Sequence, residues 1–575
     1  MLKEAVFHKQ YSEYAFGVDN NTLVIRIRTR KNEMSVCIVY YEEKYDSSIK
    51  GKKVMEKAAS DELFDYYEVR LCVGIKRFKY MFYLEDAYEA VWYNQNGFHK
   101  HRPAWGHFSF SYICSKDVIK SVEWFENTVI YQIFPDRFKR KDAGTNPYGG
   151  YYGGDLGGMI SEFEYIRNLG VSSIYLNPIF KSGSYHRYDI NDYYEVDPIL
   201  GDKVQLKEFI DLCHASKINV IFDAVLNHTG SDFFAFRDVL ANGSGSAYKD
   251  WFYIDSFPVS QSSKPNYECF SFFGGMPKLN TSNPKVVKYL VDVLKYWTVE
   301  FNIDGWRFDV ADEIDREFWR GLRRELKTVK NDIVFVGEIF DEASSWLDGD
   351  QFDSVINYPL KSLINDLFAY RSISCTLFKQ RISGYLMNFK TGVLNSMVNV
   401  ISTHDTPRFL TLCKDCEKRF ELAVVFQFTF PGVPLVYYGD EIGMKGESDP
   451  DCRRPMVWDS SQWNTDLLKL YRFLITMRKE SEALRKGRYV DLNVNGNHGI
   501  LAYGRQTEKE FLVILMNTTH TKANGSVYIG HIDSDTGYAY DLLQGGTFRI
   551  DGCVIKNSLK PYEWRILRLE KGEGK

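Results

Sequence analysis

IFDAVLNH, residues 221 to 228, is the stretch on which the fold turns. An apolar run of strand length ends in an acid and, five residues on, a histidine. Three further stretches repeat the plan: GWRFD (Gly305 to Asp309), VFVGEIF (Val334 to Phe340) and VISTHD (Val400 to Asp405). In a (β/α)8 barrel the reactive side chains come from the C-terminal ends of several parallel strands, so acids placed there converge on one mouth. Asp309, Glu338 and Asp405 are then three carboxylates around one ring-sized substrate, with Arg307, His228 and His404 beside them as hydrogen-bond donors. Arg307 stands two residues before Asp309, and the period-two rule puts both side chains on one face of the strand.

Outward from these stretches, short runs rich in Val and Ile alternate from Val129 with segments compatible with helices, which predicts βα units around a parallel sheet. The runs are VIYQIF, VSSIYL, NVIFDAV, IDGWRFDV, VFVGEI, FDSVIN, MVNVIS and PLVYYG. Eight such strands close a barrel. Between the third and fourth, Thr229 to Asn280 is dense in Gly, Ser, Pro and aromatics, and a loop of that length inside a compact domain is usually functional. It predicts a small subdomain over the mouth, about residues 229–282. NTLVIRIRT and SVCIVYY near the N-terminus, and GILAYGR, EFLVILMNTT and YEWRILRLE near the C-terminus, read as strands bounded by polar turns. The expected fold is α/β: an N-terminal β-sandwich over 1–118, a TIM barrel over 119–486 ending in a helix from Asp466 to Arg485, and a C-terminal β-sandwich over 487–575.

Composition narrows the partners. Of 575 residues, 44% are hydrophobic and 26% charged, as in a soluble globular protein with a sizeable core. The net charge of −4 offers no basic stripe, so nucleic acid and anionic membrane surfaces are not expected partners. Aromatics make up 16% of the chain; most pack in a core, and the rest suit the apolar faces of sugars. The N-terminus MLKEAVFHKQYSEYAF has no apolar signal region, and no run of about 20 apolar residues occurs. Ten scattered Cys, with one C-x-x-C at Cys413 and Cys416, read as reduced thiols, which points to the cytoplasm.

The four stretches, in this order and at these strand ends, resemble the conserved regions of the α-amylase superfamily of retaining glycoside hydrolases. MPKLN (Met276 to Asn280), YQIFPDRF, GGDLGG, NPIF…HRYD and DPDCRRPM resemble its neopullulanase, cyclomaltodextrinase and maltogenic amylase subfamily. The N-terminal EAVFHKQYSEYAFGVDNNTLVIRIRT is similar to that subfamily's starch-binding-type domain, so the resemblance spans essentially the whole chain. It implies Asp309 as nucleophile, Glu338 as general acid/base and Asp405 as the carboxylate that holds sugar hydroxyls in the transition state. It further implies His228 and His404 as donors to the reacting ring, Tyr188 as its stacking platform with His186 nearby, and Asp449 and Arg453 at the non-reducing side.

The chemistry has its own logic. Retention needs a nucleophile and an acid/base roughly 5–5.5 Å apart, one ionised and one protonated. Arg307 beside Asp309 should keep it ionised, while burial at the end of the apolar VFVG strand should favour the neutral form of Glu338. Asp223 reads as structural support for the site. The HKHRP run reads as a solvated loop, and His8, His99, His101 and His107 as surface or packing residues.

Two positions depart from the subfamily. Phe340 stands where Trp is often found after the acid/base, which keeps a stacking face but drops an NH donor. The loop KDAGTNPYGGYYGGD is shorter than the calcium loop of many relatives; Asp142, Asn146 and Asp155 could still ligate a structural calcium, and the chemistry requires no cofactor. The resemblance implies hydrolysis of α-1,4 bonds in cyclodextrins and maltodextrins, with pullulan as a further substrate, to maltose- or panose-sized products. It also implies a homodimer in which the N-terminal module of one chain covers the site of the other. Two other readings stay open: a 4-α-glucanotransferase on the same scaffold, where Glu313 and Phe340 tilt the choice of acceptor, and a non-catalytic carbohydrate-binding protein.

Overall fold

The computed structural model describes residues 1–141, 150–262, 264–496, 498–530 and 537–570. At its centre eight short strands run parallel: β1 (Ile130–Ile133), β2 (Ser173–Leu176), β3 (Asn219–Ala224), β4 (Gly305–Phe308), β5 (Val334–Gly337), β6 (Ser354–Val355), β7 (Val398–Asn399) and β8 (Val433–Tyr437). Their order is β6-β5-β4-β3-β2-β1-β8-β7. A parallel bridge between Ile356 and Val398 joins the two ends, so the sheet closes into the expected barrel.

The lumen is filled, not hollow. Ile130, Tyr175, Ile221, Val334, Val336, Val398, Val433 and Leu435 form one buried cluster inside it, and each buried branched side chain contributes about 1.5–3 kcal/mol relative to exposure. Strand β4 adds nothing apolar to that cluster. In register, Gly305 pairs with Ile221 and Arg307 with Asp223; a Cβ on Gly305 would lie 3.2 Å from Ile221 Cγ1. The bare glycine lets the lumen pack, and the next inward position is given to a cation.

Amphipathic helices jacket the barrel. α1 (Lys203–Ala215) opens on a capping box between Asp202 and Gln205. α2 (Pro284–Glu300) has Asn283 as cap and Pro284 in its first turn, and buries Val286, Leu290, Val293, Leu294 and Trp297 at helical spacing. α3 (Arg316–Val329) is capped by Asp315. The β5–β6 crossover departs from the expected alternation: its only regular element is a 3-10 turn, Ser344–Trp346. The acid-rich DEASSWLDGDQFD holds no apolar stripe, and Asp353 ties it back to α3 through Arg323 at 2.7 Å. The expected final helix is two, Thr465–Glu480 and Glu482–Lys486, because Ser481 caps the second by accepting from Leu484 N–H.

Residues 229–282 fold back on themselves over the barrel mouth. Bridges join His228 to Lys278, Phe252 to Leu279, Ile254 to Tyr267 and Cys269 to Pro277. Phe233, Phe236, Trp251 and Phe252 supply their buried core. The N-terminal module packs a four-stranded sheet against a six-stranded one, both antiparallel, with NTLVIRIRT and SVCIVYY forming strands Leu23–Arg30 and Val36–Glu43. It meets the barrel where Arg26 Nη1 donates to the Phe389 carbonyl at 2.8 Å. Among the described residues the C-terminal module has nine antiparallel strands, and Arg505 Nη1 donates to the Thr429 carbonyl of the barrel at 2.7 Å. All ten cysteines are free. Among the described residues no helix is long and apolar enough to cross a membrane.

Candidate active site

Arg307 organises the mouth. Its Nη1 donates to Asp309 Oδ1 at 2.8 Å and to Asp223 Oδ1 at 2.9 Å. Its Nη2 is paired with Glu338 Oε1. All four side chains are buried. The period-two placement of Arg307 beside Asp309 therefore holds, but the expected division of environments does not. One guanidinium serves three carboxylates from β3, β4 and β5, so Arg307 is not the private partner of Asp309 and Glu338 is not in an apolar setting. Burial pushes the Asp309 carboxyl well above its ordinary value against the pull of Arg307. Burial likewise lifts Asp223 to about 6. Arg307 supplies one positive charge against the three carboxylates, so the ionised forms of Asp309 and Asp223 are disfavoured beside one another.

Each acid is held by its neighbours. Asp309 N–H donates to the Ala224 carbonyl and Glu338 N–H to the Phe308 carbonyl, at 3.0 and 2.9 Å, which locks the three strand ends together. Glu338 Oε1 also accepts from Tyr358 O–H at 3.3 Å, and Oε2 accepts from Val310 N–H at 3.1 Å.

Asp405 enters from the β7 side. His404 Nδ1 lies 2.9 Å from the Gln132 amide, which donates, so the imidazole proton is on Nε2. That nitrogen is 2.6 Å from Tyr188 Oη and 3.0 Å from Asp405 Oδ2. Tyr188 O–H donates to Asp223 Oδ2 at 3.0 Å, and Tyr175 O–H donates to the same oxygen at 2.6 Å. Burial, with Arg453 and Arg307 close by, holds His404 well below its ordinary value and therefore neutral. The network fixes the hydroxyl of Tyr188, whose side chain is partly buried.

Arg453 joins Asp405 Oδ1 at 3.2 Å to Asp449 Oδ1 at 3.1 Å, and its Nε donates to the His404 carbonyl at 2.8 Å. His186 Nδ1 accepts from Tyr188 N–H at 3.2 Å, so its Nε2 carries the proton; burial lowers its pKa to about 4. His228 is buried against Phe270, with ring centroids 4.9 Å apart. Neither of its ring nitrogens makes a hydrogen bond of good geometry, and burial with Lys278 nearby drives its pKa to about 3. A neutral, buried and unpartnered imidazole at a polar mouth is poised for a ligand hydroxyl. Phe340 stacks on Tyr358 at 4.0 Å and is 52% exposed, leaving one ring face open beyond Glu338.

Of the three residues of the calcium expectation the structure describes one, Asp155. Asp142 and Asn146 lie outside the described residues. Asp155 caps the helix Leu156–Ser161 through Oδ1, which accepts from Gly158 N–H at 2.6 Å, while Oδ2 accepts from Lys141 N–H at 3.1 Å. Among the described residues no three His, Cys, Asp or Glu gather as a metal site. Glu313, expected near an acceptor, is engaged by Lys278 at 3.3 Å and by the Asn227 amide at 2.9 Å. Conversely, Gln132, Tyr175, Asn177 and Tyr358 were not singled out from the sequence. The first three sit inside the quoted runs at the ends of β1 and β2, where their strand-end position was the available signal.

Arg307 holds Asp309 on Nη1 and Glu338 on Nη2, so both carboxylates face one mouth, as a nucleophile and an acid/base acting on one bond require. The fold and site thus define a retaining glycosidase class. The chain belongs to the α-amylase family: residues 132–487 match the alpha amylase, catalytic domain, and residues 1–114 the alpha amylase, N-terminal ig-like domain. It is 44% identical over 536 residues to a cyclomaltodextrinase of Thermoanaerobacter pseudethanolicus, covering 90% of this chain and 93% of that one. It is 40% identical over 584 residues to neopullulanase 2 of Thermoactinomyces vulgaris, covering 99% of each. A solved structure of a cyclomaltodextrinase superposes with a TM-score of 0.94 at 35% identity, covering 99% of this chain and 100% of that one. The chain is a glycoside hydrolase of this family.

Proposed function

We propose that this enzyme cleaves α-1,4-glucosidic bonds in cyclodextrins and short maltodextrins, and in pullulan, with retention of anomeric configuration. The observation that carries this is the Arg307 fork, which sets Asp309 and Glu338 side by side at the barrel mouth. Asp309 Oδ1 is tied to Arg307, which leaves Oδ2 to attack the anomeric carbon. As that bond forms, the glycosidic C–O bond breaks and its electron pair takes the proton of Glu338. Glu338, now a carboxylate, removes a proton from water, whose oxygen displaces Asp309 from the sugar.

The remaining residues hold the sugar. Asp405, His404 and His228 face its hydroxyls, and the Tyr188 ring lies beneath it. The linked Arg453 and Asp449, with His186, bound the non-reducing side. The names of the relatives, cyclomaltodextrinase and neopullulanase, support the substrate class. Products of β-cyclodextrin, pullulan and starch at equal mass, separated by chromatography, test the reading, with Glu338→Gln as control. Release of β-configured sugars by proton NMR would sink it.

The open face of Phe340 favours a second outcome of the same intermediate, capture by a sugar in place of water. Products longer than the substrate at high maltotriose would reveal it. We also propose a homodimer in which the N-terminal module of each chain covers the partner's site; Trp105 and Tyr88, 83% and 93% exposed on that module, support it. A monomeric mass in solution with full cyclodextrin activity argues against it. The free cysteines support a cytoplasmic location, which fractionation of the native cell checks.

A further inference from the structure

Val310 follows the nucleophile and adopts φ 44°, ψ 51°, the left-handed region. For a β-branched residue this is an outlier that costs about 1–3 kcal/mol, where glycine would sit almost without penalty. Its side chain is only partly buried, so core packing does not explain the strain. The backbone does. The reversal turns Val310 N–H onto Glu338 Oε2 at 3.1 Å, and the next amide, Ala311 N–H, onto the Glu338 carbonyl at 3.1 Å. Trp319 Nε1 then anchors the turn by donating to the Ala311 carbonyl at 3.0 Å. The tail of β4 is thereby wrapped around both the main chain and the side chain of the residue that ends β5.

The two oxygens of Glu338 differ as a result. Oε1 faces Arg307 and Tyr358. Among the described residues Oε2 accepts from the Val310 amide alone, which leaves it a second lone pair. We infer that Val310 is a positioning residue for the acid step: its strained amide fixes the Glu338 rotamer so that Oε2 presents its open side to the leaving oxygen. This rests on the reading of Glu338 as the acid/base. The strain is retained because relaxing the turn would release Oε2, and misplacement by an ångström can cost on the order of 100-fold in rate.

The test uses two substrates that differ in their need for a proton. Cleavage of maltotriose expels a sugar alkoxide, which requires one; cleavage of α-maltosyl fluoride expels fluoride, which does not. Val310→Gly keeps the amide but frees the turn, whereas Val310→Asn tolerates the left-handed region and should hold it. The expected result for Val310→Gly is a fall of about 10-fold in kcat on maltotriose, with KM and the fluoride rate within about 2-fold. Its melting temperature should be no lower than that of the wild type, and Val310→Asn should retain both rates within about 2-fold. An equal loss on both substrates, no loss on maltotriose, or an Asn variant as impaired as Gly overturns the assignment. A wild-type enzyme that turns over neither substrate overturns the glycosidase reading itself.

Discussion

Replacing Asp223 with Asn should make the protein more stable and less active, and the gain should depend on pH. Burial holds this carboxyl at about 6 against an ordinary value of 3.8. Folding therefore takes up a proton: the cost of an ionised Asp223 is absent below about pH 3.8 and fully present above about pH 6, so stability falls as pH rises through that window. A rise of about two pH units at 1.36 kcal/mol each is about 3 kcal/mol. The group is fully buried, so little solvent screening reduces the figure. With residues 132–487 as the unfolding unit and about 2.1 cal/mol/K of unfolding entropy per residue, that is about 4 °C. Calorimetric melting at pH 4 and pH 7.5 measures it: Asp223→Asn should match the wild type at the lower pH and melt about 4 °C higher at the upper. Activity should fall because Tyr175, Tyr188 and Arg307 lose a charged partner. A variant that melts lower than wild type at pH 7.5, or one whose advantage is the same at both pH values, refutes the account of a buried carboxylate kept at a stability cost.

Asp304, at the opposite end of β4, should behave in the reverse sense. It is buried but paired with Lys330 at 2.7 Å and His214 at 2.9 Å, and its pKa lies below the ordinary value because those partners outweigh burial. Its contribution is present above about pH 3.8 and lost as pH falls through its lowered value; Asp304→Ala should cost about 3–5 kcal/mol at pH 7, read from denaturant midpoints. Asp155→Ala should cost about 1 kcal/mol by loss of a helix cap, and by the same amount with or without a chelator; a chelator that lowers the melting point of the wild type but not of the variant would show instead that Asp155 holds a calcium ion. Phe340→Ala should change stability by no more than about 1 kcal/mol, since the ring is half-exposed. The share of transfer products at high maltotriose should drop, as chromatography will show.

Much of this enzyme is written in local pattern. A strand-length apolar run ending in an acid states where the chain is extended and which residue it delivers, and IFDAVLNH, GWRFD, VFVGEIF and VISTHD did so at β3, β4, β5 and just past β7. Caps and turns were likewise decided by neighbours a few residues apart, as at Asp202 and Gln205. The β5–β6 crossover was less legible because DEASSWLDGDQFD has neither period.

Only the closed barrel decided the electrostatics. Arg307 and Asp223 are 84 residues apart in sequence and share hydrogen bonds in the lumen, so no window around GWRFD could have told that its arginine also serves β3 and β5. The raised pKa values of Asp309 and Asp223, the tautomer of His404 set by Gln132 from 272 residues away, and the strained amide of Val310 on Glu338 arise the same way. Periodicity is a property of consecutive residues, whereas charge, burial and hydrogen-bond satisfaction depend on everything within a few ångströms, and here those neighbours come from six different strand ends.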